Sequence, residues 1–448
     1  MMTKQEFDIN KVLGKANPKV LDQKLIEEAT KLVLENMTNV KGNLEEIEIQ
    51  NQLLANCAMG DKNAQLNVKA MIKKIIEKDY RLAQPPLSDE LVKKIYEDSY
   101  GLGAIDNLYN DKTINEIWVN GYEHVWIEKG GIKYRLKDKR FKNDEDVMRI
   151  IRLLLRFDKK DITVQQPMRE SRMLDGARIT ILIPPVAKRP YINIRKFDAF
   201  DLTTENLIKA ETLNYEMVKW LEKAIKGRAN ILLIGETGSG KTSLLKWLVG
   251  LIDSSLRLGT IETNFELKID EKYPDINIFS YEEHLELGIT MGDLFKKCLR
   301  SSPDIIICGE ARGAEADELI RAMRRAHPGS ISTVHTNAPE TTIDDVAEMI
   351  NEDGKRRDTM QLRYRVASAL DLVIQVHRFS DGFRKITRIT EVIADEKNYS
   401  YTFEDIFRYE IDKDNPSVGK FIKAGNITEG LKHKFNYFGL PFNQIKNM

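Results

Sequence analysis

Apolar positions along this chain change their period three times, and each change marks a different kind of element. Leu21, Leu25, Ala29, Leu32 and Val33 recur on one helical face with charges between them, so the sequence reads as helices as far as about residue 80. Pro85-Pro86 breaks that run, and Ser88 followed by Asp89 and Glu90 predicts a cap and acidic first turn for a further helix through Ile95. From Ile114 the period drops to two. Short strands are predicted at Ile114 to Val119, Val125 to Ile127 and Ile132 to Leu136, with turns at Asn120-Gly121 and Gly130-Gly131. A helix follows on the face Val147, Ile150, Ile151, Leu154 and Leu155, and then strands around Ile179 to Ile183 and Tyr191 to Phe197.

The polar, periodless stretch 198–213 reads as a linker into a second domain, in which helical and strand patterns alternate. Helices are predicted at Tyr215 to Lys226, Thr242 to Ile252, Met291 to Arg300 and Ala314 to Arg325, and strands at Asn230 to Ile234, Leu258 to Thr263, Asp304 to Cys308 and Ser330 to Val334. Such alternation calls for right-handed crossovers and a mostly parallel sheet covered on both faces. The expected fold class is therefore α/β. Its parts are a helical region 1–98, a small α/β domain 99–197, the linker 198–213, a nucleotide-binding domain 214–395 and a tail 396–448.

Composition narrows the class without naming a function. With 448 residues, two or three domains are expected, and 42% hydrophobic with 31% charged residues describes a globular protein with a heavily charged surface. Lys+Arg and Asp+Glu both total 69, a balance that argues against a globally basic nucleic-acid binder. Three scattered cysteines provide neither a disulfide framework nor a four-thiolate zinc site. No window approaches the eighteen or so apolar residues of a membrane span, and a cytoplasmic location is expected.

The chemistry concentrates at Gly235-Glu236-Thr237-Gly238-Ser239-Gly240-Lys241-Thr242, which follows the apolar run Ile231 to Ile234 and opens a helix from Ser243. A strand, a glycine loop and a helix start form a phosphate cradle, because backbone N–H groups converge on a polyanion where the helix dipole adds positive potential. Lys241 is expected to reach the β and γ phosphates of a nucleotide, and Thr242 to ligate Mg²⁺. Hydrolysis needs carboxylates besides. Glu262 and Glu310 each end an apolar strand pointing at the same edge of the sheet, and the segment His327-Pro328-Gly329-Ser330-Ile331-Ser332-Thr333-Val334-His335 brackets a further strand with two of the six histidines.

Four ordered blocks resemble the secretion-superfamily ATPases of type II and type IV secretion, pilus assembly and conjugation, most closely the tight-adherence pilus and type IV secretion branch. They are the loop Gly235 to Thr242, an acidic box Ile261 to Leu267, an atypical Walker B segment Ser302 to Gly313, and a histidine box His327 to Asn337. Upstream, Leu174 to Ile179 and Ile183-Pro184-Pro185 to Phe197 resemble the passage from the family's N-terminal domain into its linker.

The resemblance implies a RecA-like motor domain behind a sensor-like domain, with ATP and Mg²⁺ at the cleft. It also implies a homo-hexamer recruited to the inner face of a membrane by an embedded secretion or pilus platform protein; the neutral total charge leads to the expectation of no stable nucleic-acid binding. Arg178 and Arg195 would match arginines that close over the phosphates, and Arg312 a further motif arginine. One departure stands out: the family's acidic box reads Glu-Asp, where this chain has Glu262-Thr263. The alternatives are a RecA-like nucleic-acid translocase, suggested by Arg321, Arg324, Arg325 and Lys355-Arg356-Arg357, and a nucleotide-gated scaffold with little turnover.

Overall fold

The computed structural model describes residues 23–38, 44–58, 61–79, 81–83, 87–155, 161–173, 175–196, 202–325, 327–355, 357–414 and 418–448. Leu21, Pro85-Pro86, Leu174, Phe197, the first residues of the expected linker (198–201) and Arg356 lie outside them. Contacts divide the chain into two compact units, residues 1–129 with 133–199 and residues 130–132 with 200–448.

In the first unit, α1 (Gln23–Thr38), α2 (Leu44–Ala58), α3 (Lys62–Ile76) and α4 (Leu87–Ser99) share one core. The expected face is the buried one: Ala29 and Val33 are inaccessible and Leu25 and Leu32 pack beside them. After the short α5 (Asp106–Asn110), the change to a period of two produces β1 (Ile114–Asn120), β2 (Val125–Lys129) and β3 (Ile132–Arg135). Next come α6 (Asp144–Leu154), β4 (Met168–Arg172), β5 (Arg178–Leu182) and β6 (Tyr191–Arg195), and the sheet order is β3-β2-β1-β6-β5-β4. Ile117, Val119, Ile179, Ile181, Ile192 and Ile194 point to one side, where Val147, Ile150, Ile151 and Leu154 of α6 cover them. Strand β4 has the sequence MRESR, which carries no apolar alternation to announce it.

The second unit opens with α7 (Thr204–Lys209), capped by the Thr203 hydroxyl accepting from the Asn206 N–H, inside the stretch expected to be linker. Then follow α8 (Tyr215–Lys226), β7 (Ile231–Ile234), α9 (Lys241–Val249), β8 (Leu258–Glu262), α10 (Ile269–Lys272), β9 (Ile278–Glu282) and α11 (Met291–Leu299). The chain continues with β10 (Ile305–Ala311), α12 (Ala316–Arg325), β11 (Ile331–Val334), α13 (Pro339–Asn351), α14 (Thr359–Ala367) and β12 (Leu372–Arg378). It ends with β13 (Arg384–Asp395), β14 (Ser400–Ile411), β15 (Gly419–Lys423), α15 (Glu429–Tyr437) and α16 (Phe442–Ile445).

One nine-stranded sheet carries all of this, in the order β15-β14-β13-β12-β7-β11-β10-β8-β9. From β12 to β9 every neighbour is parallel, and β13, β14 and β15 are antiparallel additions. Alternate residues of β7 serve opposite cores: Ile231 and Leu233 face α8 and α9, while Leu232 and Ile234 face α11, α12 and α13. This is the mostly parallel sheet that the alternation implied and the RecA-like domain that the resemblance implied. Residues 396–448, expected as a tail, are built into it through β14 and β15, and Leu431 and Phe435 of α15 lie in the same core as β7.

Candidate functional site

Parallel strands deliver their carboxyl ends to one edge, and that edge is where the loop after β7 lies. Gly235, Gly238 and Gly240 have φ of 144°, 77° and 99°, and a Cβ on Gly235 would stand 2.1 Å from the Val376 carbonyl oxygen. Only glycine fits there. Gly240 is the N-cap of α9 and brings no side-chain acceptor to its first turn, so the helix start is a ready anion site. Ser239 Oγ is buried at the base of the same loop, with no hydrogen-bond partner among the described residues. Glu236 and Thr237 are exposed, Thr242 is half-buried and Ser243 is exposed, so loop and first turn are open to a ligand. These donors suit a polyphosphate.

Lys241 is buried, and its Nζ donates to the Gly235 carbonyl at 2.7 Å and the Glu236 carbonyl at 3.0 Å. It also stands 3.2 Å from His335 Nδ1. His335 follows β11 directly, at the level of Gly235, because β7 and β11 pair Val334 with Ile234. The other face of its ring, Nε2, is 2.6 Å from Glu310 Oε1. Arg312 Nε donates to Glu310 Oε2 at 2.6 Å, and its Nη2 pairs with the same oxygen. Burial, and then the ammonium of Lys241, hold His335 below the usual histidine range. The ring thus stands between the Lys241 ammonium, at Nδ1, and a Glu310 oxygen, at Nε2, that makes no hydrogen bond among the described residues.

Glu310 reaches this position through an irregularity in β10. Cys308 pairs with Ser332, yet Ala311 pairs with Val334, so β10 spends three steps where β11 spends two. Bulges of this kind re-aim a side chain.

Glu262, at the end of β8, is buried, and its Oε2 accepts from the N–H groups of Glu266 and Leu267, both at 2.9 Å. Burial pushes its carboxyl up to about 7 despite those two bonds. Its side chain lies against Gly309, where an added Cβ would stand 3.1 Å from Glu262 Cγ.

Not every expected residue joins this edge. His327 is a correction: it precedes β11, and its Nδ1 is 2.9 Å from the carbonyl of Pro303, which precedes β10. It thus sits at the amino ends of the strands, with the length of β11 between it and His335, and ties two chain segments together. Arg178 and Arg195 belong to the first unit, directly opposite each other on β5 and β6, with Arg195 Nε 3.7 Å from Glu116 Oε1.

Two arginines absent from the sequence reading border the loop. Strand β12 pairs Gln375 with Ile234 and therefore runs three residues past the end of β7. A Cβ on Gly238 would stand 3.2 Å from Arg378 Nη1. Arg384 Nε donates to the Gly238 carbonyl at 2.9 Å. No local motif announces these residues; the pairing of β12 with β7, and of β13 with β12, brings them near.

The family model described as "Type II/IV secretion system protein" matches residues 98–399. The chain is 33% identical over 263 residues to the uncharacterized protein MJ0781 of Methanocaldococcus jannaschii, covering 56% of this chain and 36% of that protein. It therefore spans only about a third of the length of that relative. Over 346 residues it is 25% identical to the type IV secretion system protein VirB11 of Bartonella henselae, covering 69% of this chain and 95% of that one. Among solved structures, the VirB11 ATPase of the Brucella suis type IV secretion system in complex with sulphate is 26% identical, with a TM-score of 0.36, over 65% of this chain and 97% of that chain.

Proposed function

Since the chain belongs to the type II/IV secretion system protein family, we propose that it is a motor ATPase, hydrolysing ATP in a hexameric ring at the cytoplasmic face of a membrane to drive pilus assembly, secretion or conjugation. The observation that carries the reading is the contiguous set Lys241, His335, Glu310 and Arg312 at the carboxyl edge of the sheet, beside a glycine loop that opens a helix.

In this reading the N–H groups of the loop and of the first turn of α9 hold the β phosphate, and Lys241 neutralises charge on the transferred group. Glu310 orients the attacking water, and Arg312 keeps its carboxylate aimed. His335 ties the phosphate-facing ammonium to that carboxylate and so couples what Lys241 meets to where Glu310 points. The Thr242 hydroxyl would help to hold magnesium, which would supply positive charge against the developing charge of the phosphates. Glu262 braces the acidic-box loop through the Glu266 and Leu267 N–H groups and supplies a carboxyl that titrates near neutrality. Arg178 and Arg195 would add positive charge against the phosphates.

A membrane platform protein would recruit the ring, since no helix among the described residues is long and apolar enough to cross a membrane. The nucleic-acid translocase reading loses support from the ion pairs of its basic clusters. Arg321 pairs with Asp317 and Glu318, Lys355 with Asp353, and Arg357 with Asp317 and Asp353, so these three charges already face carboxylates of the same chain. Phosphate release from ATP with magnesium, compared between the wild type and Glu310→Gln, tests the proposal. A loss of roughly a hundredfold or more supports a motor. Equal rates would leave a nucleotide-gated scaffold, and stimulation by DNA that collapses with salt would favour the translocase.

A further inference from the structure

The hairpin joining β12 to β13 lies along the phosphate loop, and nothing in the proposed mechanism uses it. Arg378 and Arg384 are directly paired across that hairpin, which closes with the Phe379 N–H donating to the Phe383 carbonyl. Resting on the ATPase reading and deepening it, we infer that Arg384 is a positioning residue for the phosphate loop, fixing the orientation of the Gly238–Ser239 peptide.

Glycine at 238 and at 240 gives the loop its turn and also makes it soft, because glycine crosses between positive and negative φ at little cost. A phosphate cradle needs the opposite, with peptide planes held so that N–H groups face inward and carbonyls outward. Within the loop, the Gly238–Ser239 peptide is held by the Ser239 N–H donating to the Glu236 carbonyl at 3.2 Å. From outside, Arg384 Nε donates to the Gly238 carbonyl at 2.9 Å, a charge-assisted bond that pulls this carbonyl away from the cradle. The same side chain crosses Gly240, where an added Cβ would stand 3.1 Å from Arg384 Cδ. One guanidinium therefore spans both flexible glycines.

Arg384 is itself held from behind. The next residue, Lys385, is buried, and its Nζ donates to Glu211 Oε2 at 2.9 Å while lying 5.2 Å from the centre of the Tyr409 ring. The Ile386 N–H donates to the Thr212 carbonyl at 2.8 Å. These bonds lock the register of β13 at its first residues, and strand alternation then sends Lys385 inward and Arg384 toward the loop.

Two measurements on the full chain decide the matter. The first is hydrogen exchange of the peptide 235–242 without nucleotide, in the wild type, Arg384→Ala, Arg384→Gln and Arg384→Lys. Faster exchange in the alanine variant, restored by Gln and Lys, which can still donate to a carbonyl, is the expected result. Unchanged exchange overturns the inference whether or not the chain hydrolyses ATP. The second is ATP turnover, in which Arg384→Ala should raise KM roughly tenfold, with the change falling on KM rather than kcat and most of it recovered by Arg384→Lys. A loss confined to kcat, or an alanine variant with unaltered KM, overturns it. A wild type that binds no nucleotide refutes the ATPase reading instead, and the exchange comparison still judges Arg384.

Discussion

Replacing Glu262 by Gln separates the charge of this buried carboxyl from its shape. The side chain is 3% exposed, and burial lifts its pKa from the ordinary 4.5 to about 7. Between those values the folded chain keeps a proton that the unfolded chain has released. The resulting stabilisation is fully present below about pH 4.5 and is lost as pH rises through about 7. The full difference of about 2.5 pKa units corresponds to roughly 3 kcal/mol, of which about 2–3 kcal/mol disappears between about pH 5 and 8. Glutamine keeps an oxygen to accept from Glu266 and Leu267 but cannot ionise. The stability of Glu262→Gln relative to the wild type should therefore rise by about 2–3 kcal/mol across that range, measured by urea unfolding at a series of pH values. A difference that stays flat, or that falls with pH, would refute the assignment of a raised carboxyl. The same titration should give kcat/KM a rising limb near neutrality that the variant lacks.

Three further perturbations probe the loop, the first unit and the acidic box. Gly235→Ala places a Cβ 2.1 Å from the Val376 carbonyl at a φ of 144° and should cost about 3 kcal/mol or more along with nucleotide binding; thermal unfolding within a degree or two of the wild type would contradict this. Arg195→Ala should slow turnover by roughly a thousandfold while weakening nucleotide binding far less, and equal losses in both would mean that Arg195 supports the ground state. Thr263→Asp should raise turnover by adding the second carboxylate of the acidic box, and an unchanged or lower rate would remove that idea.

How much of this was legible follows from which signals are local. The phosphate loop, Glu262, Glu310 and His335 lie in or directly after short apolar strands, and parallel register carries their order into space without further information. His327 shares the same nine-residue segment as His335, yet β11 separates them, so proximity in sequence misled. Strands β13 and β14 escaped because their alternation is interrupted. The register shifts between Ile389 and Thr390 against β14, and between Gln375 and Val376 on β12, so buried Ile386 and Ile389 fall three apart rather than two. Helix α7, six residues in a polar stretch, offered too few positions for a period to emerge. Arg378 and Arg384 were invisible for the same reason as their strands.

The site depends on one more non-local feature, the extra residue in β10. With unbroken pairing from Cys308 with Ser332, Glu310 would fall opposite Val334 and Ala311 opposite His335. The observed shift instead pairs Ala311 with Val334, which frees Glu310 from the ladder and lets its two oxygens meet His335 and Arg312. Gly309, just before it, has no side chain to occupy the space that Glu262 fills, so both acids approach one edge without colliding. A regular β10 with the same residues would keep the phosphate loop and Lys241 intact while breaking their connection to Glu310 through His335. The glycine loop makes the chain able to hold a polyphosphate, but a one-residue bulge two strands away decides whether an acid stands ready beside it.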